Sequence, residues 1–294
     1  MFDIEVYSKG HFPSAERDPI ISFAIKVITY NGEEFNTVLD PIVETLDRET
    51  VYNNPEYIDK FGEFYPGKAI KEERYLLESL LNKFKVTDPD ILVGYFSSGF
   101  DIPYIIRRCE INGLDYNFLT RIPKLPVLQD RNRFIIPGRI LYDIFYSVKA
   151  DQSLYQLGSR NLKSVAEHFG YKGAKLSSEE MSAIGYLDED RLREYNIADV
   201  ERTEVLVKVY LPMLVAKAEI FKIPIGRAIN FPASYLPKIN QVRLLKSNGF
   251  LTCQDTTKYF SKFEKYQGAY VAVSYTHLRA HETSLHLVCR LLLE

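Results

Sequence analysis

The chain has 294 residues, 46% hydrophobic and 26% charged, and its 37 basic and 39 acidic side chains leave a net charge of −2. That composition excludes a disordered tail, a collagen-like fibre and a disulfide scaffold. The charge excludes an overall basic coat, though not a basic groove hidden inside a neutral total.

The length suggests roughly two domains. Cys109, Cys253 and Cys289 lie far apart without Cys-x-x-Cys pairing, which reads as a reducing compartment and no structural zinc. No apolar run reaches the roughly 18 residues of a membrane span, and no leader-like segment opens the chain. A cytoplasmic chain with no membrane partner is expected.

In chain order, Phe2 to Tyr7 reads as a short strand. Pro19 to Tyr30 is a β-rich run, Asn31-Gly32 is a hairpin signal, and Glu34 to Leu39 is the return strand. Ala69 to Phe84 switches to helical spacing, with Leu76, Leu77, Leu80, Leu81 and Phe84 on one stripe. Ile91 to Gly94 is a buried strand, and Asp101 to Asn112 a helix closed by Gly113. Phe134 to Ile136 and Arg139 to Leu141 flank Pro137-Gly138 and read as a second hairpin. Asn161 to Phe169 is a helix closed by Gly170, and Asp188 to Tyr210 a long helix that Pro212 interrupts or ends. Strands joined through helices make this an α/β chain. After Pro212, Pro224, Pro232 and Pro237 break up a connector-like segment.

Four carboxylates stand out by position. Asp3 and Glu5, two apart on a strand, share a face. Asp101 opens a helix behind the turn Ser97-Ser98-Gly99-Phe100, and Asp199 follows Tyr195 by one helical turn, so both side chains point the same way. Such a set suits two-metal hydrolysis, in which ions about 3.5–4 Å apart are bridged by oxygen donors. Mg²⁺ and Mn²⁺ prefer such donors. Singly, each piece has a plain structural meaning: Asp-x-Glu is common on strands, Asp101 is well placed to cap its helix, and Tyr-x-x-x-Asp is frequent on helices.

Taken in order, the motifs resemble those of family B DNA polymerases. Phe2-Asp3-Ile4-Glu5 is similar to the first exonuclease motif. Gly94-Tyr95-Phe96-Ser97-Ser98-Gly99-Phe100-Asp101-Ile102-Pro103-Tyr104 is similar to the second, Gly-Tyr-Asn-x-x-x-Phe-Asp-x-Pro-Tyr. Tyr195-Asn196-Ile197-Ala198-Asp199 is similar to the third, and Tyr266-Gln267-Gly268-Ala269-Tyr270-Val271 resembles the loop that joins exonuclease to polymerase.

The resemblance implies a ribonuclease-H-like mixed sheet flanked by helices, followed by an irregular, partly helical C-terminal connector. It implies a 3′–5′ proofreading exonuclease using two divalent cations, Mg²⁺ or Mn²⁺, on a single-stranded or frayed primer 3′ end of DNA. By motif position Asp3, Glu5, Asp101 and Asp199 are the implied metal ligands and Tyr195 places the attacking water. Phe96 and Phe100 are the implied contacts to the strand, and Tyr266 and Gly268 line the path between the two activities. The implied domains are an exonuclease over 1–212 and a connector over 213–272 toward a polymerase palm. The overall character is archaeal, with a nucleoid-associated location; a sliding-clamp partner is not readable.

Three departures stand beside the resemblance. Phe96 occupies the position of the family Asn, so weaker strand positioning is expected with the metal site intact. No Asp-x-x-Ser-Leu-Tyr-Pro-Ser or Tyr-Gly-Asp-Thr-Asp motif occurs, so no DNA synthesis is expected. Residues 273–294 resemble translated sequencing-adaptor read-through; His277 and His281 sit there, and Leu278 replaces the Glu of a zinc-binding helix. The alternatives are a catalytically weak single-strand DNA-binding module and a truncated fragment without function.

Among the remaining features, Arg121, Lys124, Arg131, Arg133 and Arg139 are either a phosphate-steering patch or a solvated loop. Asp143 is expected to cap a helix rather than bind metal. Arg107 and Arg108 are expected to face solvent or the acidic sheet edge. His11 and His168 carry no catalytic role.

Overall fold

The computed structural model describes residues 1–7, 12–46, 70–122, 127–129, 133–173, 189–230 and 235–250. The chain divides into compact units Met1–Ala233 and Ser234–Glu294.

In the first unit, β1 (Phe2–Val6), β2 (Ile20–Tyr30) and β3 (Phe35–Thr45) form an antiparallel sheet in that order. Strand β4 (Ile91–Gly94) lies beside β1 and pairs in parallel with β7 (Ile140–Asp143), while β5 (Val127–Gln129) and β6 (Arg133–Ile135) form a separate antiparallel pair. The helices are α1 (Ile70–Thr87), α2 (Asp101–Ile111), α3 (Ile144–Ala150), α4 (Leu162–His168), α5 (Glu189–Phe221) and α6 (Ile225–Asn230). In the second unit, α7 (Leu236–Ser247) carries Pro237 in its first turn, where a missing N–H costs nothing. The architecture is mixed α/β. Among the described residues no helix is long and apolar enough to cross a membrane.

The pleat of β1 separates core from site. Phe2 and Ile4 are buried with Leu77, Leu80, Phe84, Ile102 and Ile105, and the Phe2 ring meets Phe84 edge-on at 5.4 Å. Asp3 and Glu5 therefore project to the opposite face, which α5 covers. The stripe read on α1 is the buried one: Leu76, Leu77, Leu80, Leu81 and Phe84 are each 6% exposed or less. Burying side chains of this size stabilises by about 1.5–3 kcal/mol each.

Helix α5 is fixed along its length. Asn196 Nδ2 donates to Ser22 Oγ at 2.8 Å, Arg193 Nη1 to the Val43 carbonyl at 2.9 Å, and Lys26 Nζ of β2 to Glu204 Oε2 at 2.6 Å. These ties set the rotation of α5, and with it the direction of Tyr195 and Asp199.

Several elements differ from the sequence reading. The return strand continues past Leu39 to Thr45, because β3 is an edge strand on which Pro41 loses no ladder bond. Pro137-Gly138 does not close a hairpin: β6 pairs back to β5, whereas β7 crosses to β4, with Ile140 N donating to the Asp90 carbonyl at 2.9 Å. Pro212 neither ends nor interrupts α5, which runs to Phe221. An interior proline costs about 3 kcal/mol; burial of Leu206, Val207, Tyr210, Leu211, Leu214 and Ala218 around it offsets that. Arg108 does not face solvent. It is 2% exposed and ion-paired with Glu73, whereas Arg107 is exposed and bridges Glu16 and Glu110.

Candidate metal centre

Three of the four sequence-selected carboxylates converge directly. Oxygens of Asp3, Glu5 and Asp199 lie within 4.8 Å of one another. The fourth, Asp101, is 4% exposed and close enough to Asp3 for its negative charge to raise the Asp3 pKa.

Asp101 is not a cap. The N-cap of α2 is Phe100, whose side chain makes no capping bond, and Asp101 is the first helical residue. Burial pushes its carboxyl pKa up, while the neighbouring backbone amides of Asp101 and of Ile4 on β1 favour its ionised form.

The loop before α2 is a tight one. The Phe96 carbonyl accepts from Gly99 N at 2.9 Å and Phe100 N at 3.0 Å. Phe96 has φ 64°, a left-handed conformation that Asn tolerates far better than Phe. Its half-exposed ring packs edge-on against Phe145 at 5.1 Å and lies over Gly99, where a Cβ would come within 2.5 Å of the ring. Asp143 caps α3 by accepting from Phe145 N at 3.1 Å, as the sequence suggested. It also accepts from Phe96 N at 2.8 Å and Ser98 N at 2.9 Å, and so braces the loop. Phe100 packs against Tyr104 with ring centroids 5.1 Å apart.

Tyr195, 8% exposed, hydrogen-bonds the Asp199 carboxylate one turn away. Two cations were missed in the sequence. Arg202 Nη1 donates to Asp199 Oδ1 at 2.5 Å. Lys163 of α4 sits 4.7 Å over the Tyr195 ring, and its charge favours the ionised forms of Glu5 and Asp199. The three-residue step from Asp199 to Arg202 was a readable signal; Lys163 comes from another helix and left none.

Burial raises all four carboxyl pKa values, Asp101 to about 7. Like charges push Asp3 and Glu5 further up, while Arg202, Lys163 and Tyr195 restrain Asp199. Between about pH 4 and 7 the folded chain therefore binds protons that the unfolded chain has released, so stability falls as pH rises. In EDTA, Tm is expected to be higher at about pH 5.5 than at about pH 8, with Asp101→Asn flattening the difference and saturating Mg²⁺ abolishing it. A wild-type Tm that rises across this range contradicts the assignment.

The donors fit a hard divalent cation, because every candidate ligand is a carboxylate oxygen, and three meet within the spacing one ion spans. Two arginines of the basic stretch are ion-paired away from the clustered carboxylates. Arg121 pairs with Asp88 and Asp90 at 2.8 and 2.6 Å, and Arg139 with Asp88 at 2.8 Å. These two arginines brace the start of β4. Lys124 and Arg131, and the side chain of Arg133, lie outside the described residues, as do His11, Tyr266, Gly268 and residues 273–294.

The family model described as DNA polymerase family B, exonuclease domain, matches residues 1–165. The chain is 28% identical over 236 residues to a DNA polymerase of Thermococcus litoralis, covering 75% of this chain and 13% of that protein. It is 26% identical over 300 residues to the DNA polymerase delta catalytic subunit of Oryza sativa subsp. japonica, covering 92% of this chain and 26% of that one. The chain thus spans about a quarter or less of these relatives. The solved family B DNA polymerase of Pyrobaculum calidifontis superposes with a TM-score of 0.63 at 21% identity, over 92% of this chain and 31% of that one. The chain belongs to the family B DNA polymerases, through their exonuclease domain.

Proposed function

We propose that the chain is a 3′–5′ exonuclease module on a ribonuclease-H-like fold, which hydrolyses the 3′-terminal phosphodiester of single-stranded or frayed DNA with two divalent cations. The observation that carries this reading is the meeting of Asp3, Glu5 and Asp199 within 4.8 Å, with Asp101 beside them, from elements in the family's motif order.

Asp3, Glu5, Asp101 and Asp199 would hold Mg²⁺ or Mn²⁺. When bound, the ions supply an acidified water and offset charge at the phosphate. Tyr195, fixed by its bond to Asp199, orients the attacking water. Phe100 and the exposed face of Phe96 offer stacking surfaces to the last bases of the strand.

The direct test is stepwise degradation of a 3′-labelled single strand by the full chain in Mg²⁺ and its arrest by EDTA. Tight binding without degradation would instead favour a single-strand binding module, for which the departure at Phe96 is the motivating observation.

Phe96→Asn is expected to raise kcat/KM by roughly two- to tenfold, mainly through KM. The change restores a polar contact worth about one hydrogen bond and relieves a left-handed Phe. Unchanged or lower activity counts against this role.

A further inference from the structure

The carboxylate pocket carries cations of its own. Arg202 is 2% exposed and donates to Asp199 Oδ1, so one of the two Asp199 oxygens is already engaged. Its guanidinium lies 5.1 Å from the Tyr171 ring centroid, a cation–π contact that helps keep it in place. Lys163, half-buried, lies on the Tyr195 ring with its charge directed at Glu5 and Asp199. Tyr195 in turn bonds Asp199. The ligand Asp199 is thus gripped by Arg202 from one turn ahead and by Tyr195 from one turn behind, with Lys163 over the tyrosine.

We infer that Arg202 and Lys163 are built-in counter-cations of the metal centre, which offset the charge of Asp199 and Glu5 in the metal-free chain and hold down its affinity for divalent ions. The inference rests on the metal-ligand reading of Asp3, Glu5, Asp101 and Asp199. Four carboxylates at such range repel one another, and two fixed positive charges relieve part of that repulsion without closing the site. The same charges oppose an arriving dication. At roughly 6 Å, even in a water-like dielectric, one such charge weakens binding by about tenfold. Arg202 also occupies one acceptor position on Asp199 Oδ1, which lowers the electron density that oxygen offers an ion. Both residues act through the ligands and are positioning residues.

The test is Mn²⁺ binding to the full chain, followed by the EPR signal of the free ion. Lys163→Met is expected to tighten Mn²⁺ binding about tenfold, and Lys163→Arg to stay within about twofold of wild type. Arg202→Met is expected to tighten binding as well, and to lower Tm in EDTA by more than in saturating Mn²⁺. Arg202 is buried, so its variant is open to misfolding; Lys163 is half-exposed and decides the matter alone. Unchanged or weaker Mn²⁺ binding in Lys163→Met overturns the inference, because a merely structural lysine would shift Tm without tightening the site. Asp199→Ala separates the two levels. If wild type and Asp199→Ala take up Mn²⁺ alike, the metal-centre reading falls and the counter-cation inference with it.

Discussion

Asp199→Ala is expected to slow degradation of a 3′-labelled strand by roughly 10³-fold or more, while strand binding in Ca²⁺ stays within a few-fold of wild type. Bound divalent ions contribute several kcal/mol of charge stabilisation in such hydrolysis, and each 1.36 kcal/mol is tenfold in rate. Asp199 is one of three carboxylates that meet at a point, and it also anchors Tyr195. Its loss removes a ligand and loosens the group that orients water. The substitution also strips buried Arg202 of its carboxylate, so a loss of activity could reflect misfolding. Asp3→Asn answers that objection. Asp3 lies on β1, the buried guanidinium of Arg202 is paired with Asp199 rather than with Asp3, and an asparagine keeps the shape of the Asp3 side chain. Both variants should lose cleavage, with only Asp199→Ala losing much stability. Retention of more than about a tenth of wild-type cleavage in Asp3→Asn would show that the convergence is not catalytic.

The largest effect on stability is expected far from the site. Glu73→Ala should destabilise the chain by about 3–5 kcal/mol, measured by urea unfolding. Glu73 is fully buried and accepts from Ile20 N at 2.9 Å, Arg108 Nε at 2.7 Å and Asn112 Nδ2 at 3.0 Å, with Arg108 Nη2 completing a two-pronged pair. Arg108 also reaches the Ala15 carbonyl at 3.0 Å. One carboxylate therefore joins α1, α2 and the start of β2. Without it a guanidinium stays buried with its charge unmatched, which costs far more than an exposed pair would return. Replacing both partners with Glu73→Leu and Arg108→Met should recover most of the loss, because the pair itself adds little once its desolvation is counted. A Glu73→Ala change below about 1 kcal/mol would mean that water reaches Arg108 more readily than its burial implies.

What the sequence disclosed, and what it withheld, follows from range. The stripe on α1, the short strand β4 and the Asp143 cap depend on residues a turn or two apart, and each was legible. The order of the four carboxylates was legible too, and nothing local announced that they meet. The failures lie where distant packing overruled local chemistry. Pro212 stops a helix by any local rule, yet its surroundings are buried on a second core. Pro137-Gly138 is good hairpin chemistry, yet Ile140 to Asp143 find a parallel partner in β4. Arg108 is the plainest case. In sequence it matches its neighbour Arg107, and only Glu73, thirty-five positions earlier, sends one inward and leaves the other outside.

The double duty of Asp143 couples two distant stretches of the chain. Its carboxylate receives Phe96 and Ser98 amides from more than forty residues upstream, so the turn that delivers Asp101 is braced from the end of β7, the strand that pairs with β4. Asp199 arrives later still on a nascent chain. Asp3 and Glu5 therefore wait for a partner almost two hundred positions further along, and the cluster is incomplete on any nascent chain that has not yet reached Asp199.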